Sequence, residues 1–354
     1  MRPSVESLGL TRLGLGGAQF GNLYREMLDE VAEQTFATAW ERGIRYYDTA
    51  PHYGLGLSER RLGALLRQRR REEFVLSTKV GRLLVPNPGY AGEQDSDGFA
   101  VPATTIRQWD FSRDGIRRSI AESLDRLGLD RIDIAYLHDP EQHWEQALSE
   151  GLAALLELRD EGVLRAVGAG MNFAEHLTEL VRDHDVDLVM CAGRYTLLEQ
   201  ADELLDTAHD RGVGVVIAGV YNSGLLAKGR PAPGAHYNYG PAPQAVIDRV
   251  NALADVCERH GVDLADAALA FPLRHPAVVS VVVGAASPGQ IAQAADRLER
   301  RLPEELWADL ADAGLITHAA PVGDVGAVGD AASVADEVTA PADPKTVDAE
   351  QEPS

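Results

Sequence analysis

The chain is poor in cysteine, in basic residues and in long apolar stretches, and each shortage excludes something. Only Cys191 and Cys257 occur among 354 residues. They allow one disulfide at most, and neither a disulfide framework nor an all-cysteine zinc site. Lys and Arg total 33 against 55 Asp and Glu, a formal net charge of −22. That balance opposes nucleic acid, which needs a basic face, and anionic membrane surfaces. No apolar run reaches the roughly 18 residues of a membrane-spanning helix. The opening MRPSVESLGL lacks the basic-then-apolar pattern of a secretory leader, so a cytoplasmic location is expected.

What is present suits a packed globular fold: 45% of residues are hydrophobic and 25% charged. At roughly 100–200 residues per domain, the length admits two domains or one large α/β barrel. Residues 319–354 stand apart. They hold no aromatic residue, eight acidic ones (Asp324, Asp330, Asp336, Glu337, Asp343, Asp348, Glu350, Glu352) and one base, Lys345. Such a segment cannot bury enough apolar surface to offset its ordering entropy, so a disordered acidic tail is expected there.

Residues 1–318 alternate between two patterns. Short β-branched runs recur at 13–17, 44–48, 74–80, 132–138, 163–170, 186–191, 213–219 and 278–285. Between them lie helix-length segments with apolar residues three or four apart, several closed by a glycine (Gly43, Gly162, Gly212, Gly261). Asp29 and Ser112 sit where N-caps belong. Eight strand–helix units in about 300 residues predict a single (β/α)8 barrel. A doubly wound sheet is the rival, but the glycine cluster Gly14, Gly16, Gly17, Gly21 misses the dinucleotide-fold spacing.

In such a barrel, chemistry belongs at the C-terminal strand ends. The second run ends at Asp48, with His52 and Tyr53 just beyond; the third ends near Lys79; the fourth ends at His138. A lysine beside a tyrosine favours the phenolate and lowers its pKa from about 10. An aspartate keeps the amine charged, and a histidine can orient a substrate oxygen. Singly, each has a plain structural reading; three at successive strand ends, with Tyr53 in the loop just beyond one of them, do not. No metal site is expected. His138, Asp139 and His143 are close in sequence, but only His138 ends a strand, and no H-E-x-x-H occurs.

The segments YDTAPHYG at 47–54 and SERRLG at 58–63, with Lys79 in STKVGR and His138 in YLHDP, resemble the aldo-keto reductase family. The likeness runs from residue 13 to about residue 315. Stretches at 110–140, 168–172, 192–200 and 221–226 resemble its branch of D-threo-aldose 1-dehydrogenases and pyridoxal 4-dehydrogenases. The resemblance implies a barrel that binds a nicotinamide cofactor, with Tyr53 as acid/base, Lys79 as its pKa-lowering partner, Asp48 holding Lys79, and His138 orienting the reacting oxygen. It places Asn172 at the carboxamide. It places Asn222, Ser223, Gly224 and Leu226 in a loop at the pyrophosphate, either Val220 or Tyr221 on the nicotinamide face, and Gly284, Ala285, Ser287 and Gln290 after strand eight. Where the family often has a glutamine, this chain has Ala192, with Arg194 nearby.

No cation lies between Val278 and Ala295 to meet a 2′-phosphate, and Arg297 is offset along the helix. An unpaired phosphate is costly, so NAD is expected rather than NADP. Residues 81–109 form a long loop with Tyr90, Trp109 and the acceptors Asp95, Asp97 and Gln108. With His52 and Trp144, Tyr90 and Trp109 are expected in the wall around a small-molecule substrate. The branch implies oxidation of a free aldose such as L-fucose, L-galactose or D-arabinose. A pyridoxal 4-dehydrogenase or general carbonyl reductase, and a non-catalytic cofactor-binding subunit, are the alternatives.

Overall fold

A computed structural model describes residues 5–317 except Tyr239. The segment expected to form an acidic tail, 319–354, lies outside the described residues. In chain order the strands are β1 (Leu13–Gly16), β2 (Tyr46–Asp48), β3 (Val75–Val80), β4 (Arg82–Pro86), β5 (Thr105–Trp109), β6 (Ile134–His138), β7 (Ala166–Met171), β8 (Leu188–Ala192), β9 (Gly214–Ala218), β10 (His236–Tyr237), β11 (Gly240–Pro241) and β12 (Val278–Gly284). The helices are α1 (Asp29–Glu41), α2 (Leu57–Leu66), α3 (Arg113–Leu127), α4 (Trp144–Gln146), α5 (Ala153–Asp160), α6 (Ala174–Asp183), α7 (Asp202–Arg211), α8 (Gln244–Arg259), α9 (Leu264–Ala270), α10 (Pro288–Glu299) and α11 (Glu304–Asp312).

Eight strands, one from each expected run, are parallel and close a barrel in the order β1, β2, β3, β6, β7, β8, β9, β12, with β12 pairing back on β1. Parallel neighbours need crossover connections, and the amphipathic helices supply them on the outside. Several strands are shorter than their runs because the run starts with a buried anchor, such as Ile44, Phe74, Ile132 or Val186, ahead of the strand.

Strand alternation decides which residues see the barrel interior. On β2, Tyr47 faces outward onto Phe36 and Phe74, while Tyr46 packs inside with Val75, Ile134, Tyr136, Leu188 and Val216. Two residues along from Tyr46 comes Asp48. By the same period, Lys79 follows Ser77, and His138 follows Tyr136. Apolar and phenolic side chains therefore fill the barrel's middle, and the charged residues fall at its C-terminal rim. Leu8, from a short helical turn at Val5–Leu8, joins the interior cluster.

Local chemistry departs from expectation in two places. Ser112 caps α3 by accepting from the Gly115 amide, but Leu28 occupies the N-cap of α1. Asp29 is the first helical residue, and its carboxylate accepts from Arg61 Nε at 2.7 Å. Residues 81–109 are also not structureless: β4 and β5 pair antiparallel as a hairpin standing above the rim. A second small hairpin, β10 and β11, lies in the connection after β9.

One glycine pair sets the height of the loop that carries Tyr53. Gly54 has φ +62°, and a Cβ there would lie 2.2 Å from the Gly21 carbonyl oxygen. The loops after β1 and β2 touch backbone to backbone. Gly54→Ala is expected to lower stability by about 1–3 kcal/mol through strain and overlap. A melting temperature unchanged to within a degree would show that the loops part freely.

Candidate active site

At the rim, a chain of hydrogen bonds rises out of the barrel. The Tyr136 and Tyr46 hydroxyls are 3.2 Å apart, and Tyr46 Oη is 3.0 Å from Ser77 Oγ. Ser77 donates to Asp48 Oδ1 at 2.7 Å, and Lys79 Nζ donates to Asp48 Oδ2 at 2.6 Å. Lys79 also donates to the Thr49 carbonyl at 3.1 Å and to Tyr53 Oη at 3.0 Å. All three ammonium donors are thus used. Asp48 and Lys79 are each 2% exposed, so neither charge is solvated and each depends on the other. The His138 ring stands edge-on to the Tyr53 ring, with centroids 5.9 Å apart. The four side chains expected to act together do converge.

The loop geometry has a visible cause in the 47–63 segment. Ser58 Oγ donates to the Gly17 carbonyl and lies 2.8 Å from Thr49 Oγ1, so it ties the loops after β1 and β2 together. Glu59 is fully buried, accepts from Thr78 beside Lys79, and pairs with Arg126. Arg61 donates to the Phe20 and Met27 carbonyls and to Asn22 Oδ1. These residues hold the loops in place without reaching the cavity.

Burial sets the protonation states. It holds the Lys79 amine down, but the Asp48 carboxylate and the Tyr53 phenol outweigh it and leave the amine above its ordinary range. Burial raises the Tyr53 phenol, and Lys79 only partly offsets this. The expected lowering of Tyr53 below the usual phenol value is therefore not reached in the protein alone: desolvation of a phenolate exceeds the attraction of one ammonium already paired to Asp48. Burial also lowers both His52 and His138, assisted by Arg82 at each. Both imidazoles are neutral at physiological pH.

A cavity of about 540 Å³ opens over the rim. Asp48, His52, Tyr53, Lys79, Trp109, His138, Asn172, Ala192 and Gly284 line it. Tyr90 and Trp144, expected in the substrate wall, are not in the lining. Tyr90 sits exposed at the tip of the loop between β4 and β5. Trp144 packs on His176 and donates to Glu179, drawn away by its own indole N–H. Leu226 and Ala285, expected at the cofactor, are buried in the main apolar core. Ser287 caps α10, and the Gln290 side chain accepts from the Ala286 amide. Asn222 and Ser223 are left-handed non-glycine residues, followed by left-handed Gly224. The partly buried Tyr221 packs against the main core.

Among the lining residues that escaped the sequence reading are Arg82 and Gln19. Arg82 sits three positions after Lys79 and enters the cavity because β4 folds back over the rim. Its guanidinium lies over the Trp109 ring, 4.3 Å from the centroid. Gln19, beyond β1, lines the cavity with a buried Oε1 that has no partner, against Gly284. The expected acceptor Asp95 is instead buried in a pair with Arg107. Arg194 donates to the Asn172 carbonyl and so steadies that residue. Cys191 and Cys257 are both free and buried. Among the described residues, no helix is long and apolar enough to cross a membrane.

The floor fits a flat cofactor. Gly16, Gly17, Gly170, Gly219 and Gly284 line it together with small and apolar side chains such as Ala218, Met190 and Val282, and Gln19 and Asn172 offer amides. A barrel with a tethered lysine, a phenol and a neutral imidazole at one rim is the acid–base centre of a carbonyl–alcohol oxidoreductase. The chain belongs to the aldo/keto reductase family, whose model matches residues 12–314. It is 50% identical over 318 residues to D-threo-aldose 1-dehydrogenase of a Pseudomonas species, covering 88% of this chain and 97% of that one. It is 39% identical to pyridoxal 4-dehydrogenase of Microbacterium luteolum, covering 88% and 96%. The holo form of an aldo-keto reductase from Bacillus halodurans superposes with a TM-score of 0.67 at 27% identity, covering 89% and 93%. This is an oxidoreductase acting on CH–OH groups, of a family that uses nicotinamide cofactors.

Two outcomes follow from the site's charges. Lys79→Met strands the buried Asp48 carboxylate, so urea unfolding should show a loss of about 3–5 kcal/mol; a loss under 1 kcal/mol would mean that Ser77 alone satisfies it. His52 and His138 titrate lower folded than the unfolded value of about 6.5. Below about pH 6.5 the unfolded chain therefore binds protons that the folded chain does not, and stability falls as pH drops. Melting temperatures from pH 7.5 to 5.5 should decline, and less steeply in His52→Gln.

Proposed function

We propose that this chain oxidises C1 of a free aldose of the L-fucose, L-galactose or D-arabinose type to the lactone, with NAD as the hydride acceptor. The observation that carries the reading is Tyr53 Oη held 3.0 Å from a buried, charged Lys79 in a cavity lined for a small polar molecule. The likeness to an aldose dehydrogenase at half of all aligned positions supports it.

Tyr53 takes the proton of the C1 hydroxyl, and Lys79 stabilises the phenolate as it forms. Asp48 keeps Lys79 charged and aimed. Neutral His138 faces the same oxygen and fixes its angle. Asn172 and Gln19 would hold the cofactor's amide and polar groups, and the strained 222–224 turn would meet its phosphates. When bound, the nicotinamide supplies the hydride-accepting ring.

The cavity's charges argue for a neutral substrate. Asp48 offsets Lys79, and Asp139 offsets Arg82, which leaves Glu141 in the lining. A phosphorylated sugar would meet no spare cation, whereas sugar hydroxyls would meet the carboxylate acceptor Glu141. NAD is favoured because Arg297, the cation nearest along α10, lies 3.2 Å from the buried Asp266. A basic group committed to an anion is not free for a 2′-phosphate.

Tyr53→Phe should abolish turnover while leaving NAD binding intact by fluorescence titration. Absorbance at 340 nm with the wild-type chain tests the substrate: reduction of NAD with L-fucose, L-galactose and D-arabinose but not D-glucose is expected. Turnover on pyridoxal alone would replace this reading with the pyridoxal one. Cofactor binding without turnover on any substrate would favour a binding subunit.

A further inference from the structure

Arg82 is 8% exposed and touches two imidazoles, one directly and one through a carboxylate. Arginine only donates. His52 Nδ1, 3.1 Å from Arg82 Nη1, must therefore accept, which leaves the His52 proton on Nε2. Arg82 Nη2 donates to Asp139 Oδ2, and that same oxygen lies 3.6 Å from His138 Nε2. The second distance is too long for a hydrogen bond. An anion so placed still favours a proton on the nitrogen that faces it.

The other side of the His138 ring points the same way. Its Nδ1 is buried and has no hydrogen-bond partner. A proton there would be a buried donor with nothing to receive it, a greater penalty than a bare lone pair. A neutral ring carries one proton, so both sides place it on Nε2.

The backbone is bent to bring Asp139 to this spot. It follows His138 directly and adopts φ 43°, ψ 56°, a left-handed conformation that a non-glycine residue avoids. Its amide is tied to the Gly170 carbonyl at 3.0 Å, which extends the β6–β7 ladder by one residue. The carboxylate then lines the cavity beside His138, with about a third of the side chain still exposed. Burial raises the Asp139 carboxyl, and Arg82 opposes that. The stacking of Arg82 on Trp109 holds the guanidinium in its plane.

We propose that Arg82 and Asp139 form a positioning pair that fixes both cavity imidazoles as Nε2–H tautomers, His52 directly and His138 through the carboxylate. The inference rests on the reading above, in which His138 donates to the reacting oxygen: only an Nε2–H ring, with the proton toward the cavity, can do so. It makes Asp139 a determinant of rate rather than of cofactor affinity.

The test is the ring-nitrogen spectrum of the full chain labelled with ¹⁵N-histidine, assigned with His52→Gln and His138→Gln. In the wild type, long-range ¹H–¹⁵N correlations should show both rings as Nε2–H. In Asp139→Asn, which tolerates the left-handed backbone, His138 should become a mixture of tautomers. The variant's kcat should fall about tenfold or more, with KM for NAD within twofold, and its melting temperature should fall as well because buried Arg82 loses its charge partner. If that variant does not fold, Asp139→Gly, free at positive φ, carries the same expectation. A His138 ring that stays Nε2–H in the folded variant overturns the proposal, as does an unchanged kcat. The spectra need no substrate, so a wild type inert toward every aldose refutes the proposed function without touching this result.

Discussion

Two charges buried against each other govern this rim. Lys79 and Asp48 meet at 2.6 Å where both are almost wholly removed from water. Taking either ion out of water alone would cost several kcal/mol, so each is tenable only with its partner and a full set of hydrogen bonds. The surroundings provide those bonds. Ser77 satisfies the second carboxylate oxygen, the Thr49 carbonyl takes one ammonium proton, and the Tyr53 hydroxyl takes the last. The phenol thus belongs to the solvation shell of a buried ion pair, and its orientation follows from the pair's needs. Reactivity and stability draw on one arrangement.

Around that pair the cavity separates charge from neutrality. The cations present are matched: Lys79 by Asp48, Arg82 by Asp139, and Arg107 by Asp95 above the rim. The imidazoles between them are neutral because burial and neighbouring cations both oppose protonation. A neutral imidazole donates from one nitrogen only, so which nitrogen bears the proton becomes a structural variable. A charged ring would donate from both and need no such control.

Much of the rim was legible because strand alternation is so regular. Asp48, Lys79 and His138 each end an apolar run, and period two places each on the interior face once the barrel is granted. Tyr53 was legible from its distance beyond Asp48. The barrel itself was legible in the repeat of runs and helix-length segments. Arg82 was not, because nothing in STKVGR announces that the chain turns back as a hairpin and lays a guanidinium over the cavity. Trp144 was misplaced for a related reason. Its indole finds Glu179 and His176 on α6, contacts between elements far apart in sequence. Gln19 was missed because it lies beyond the end of β1, where alternation no longer says which way a side chain points.

The sequence by itself determined the order of elements, the barrel class and the four residues whose chemistry requires them to meet. These follow from local periodicity and from the ends of strands, which a single chain displays along its length. Tertiary structure alone decided the protonation of those residues and the shape of the wall around them. Desolvation depends on everything packed within several ångströms, as the Tyr53 phenol shows by lying above rather than below its ordinary value. The wall depends on how a hairpin folds over the rim. Both are sums over neighbours distant in the chain, and only the closed barrel brings those neighbours together.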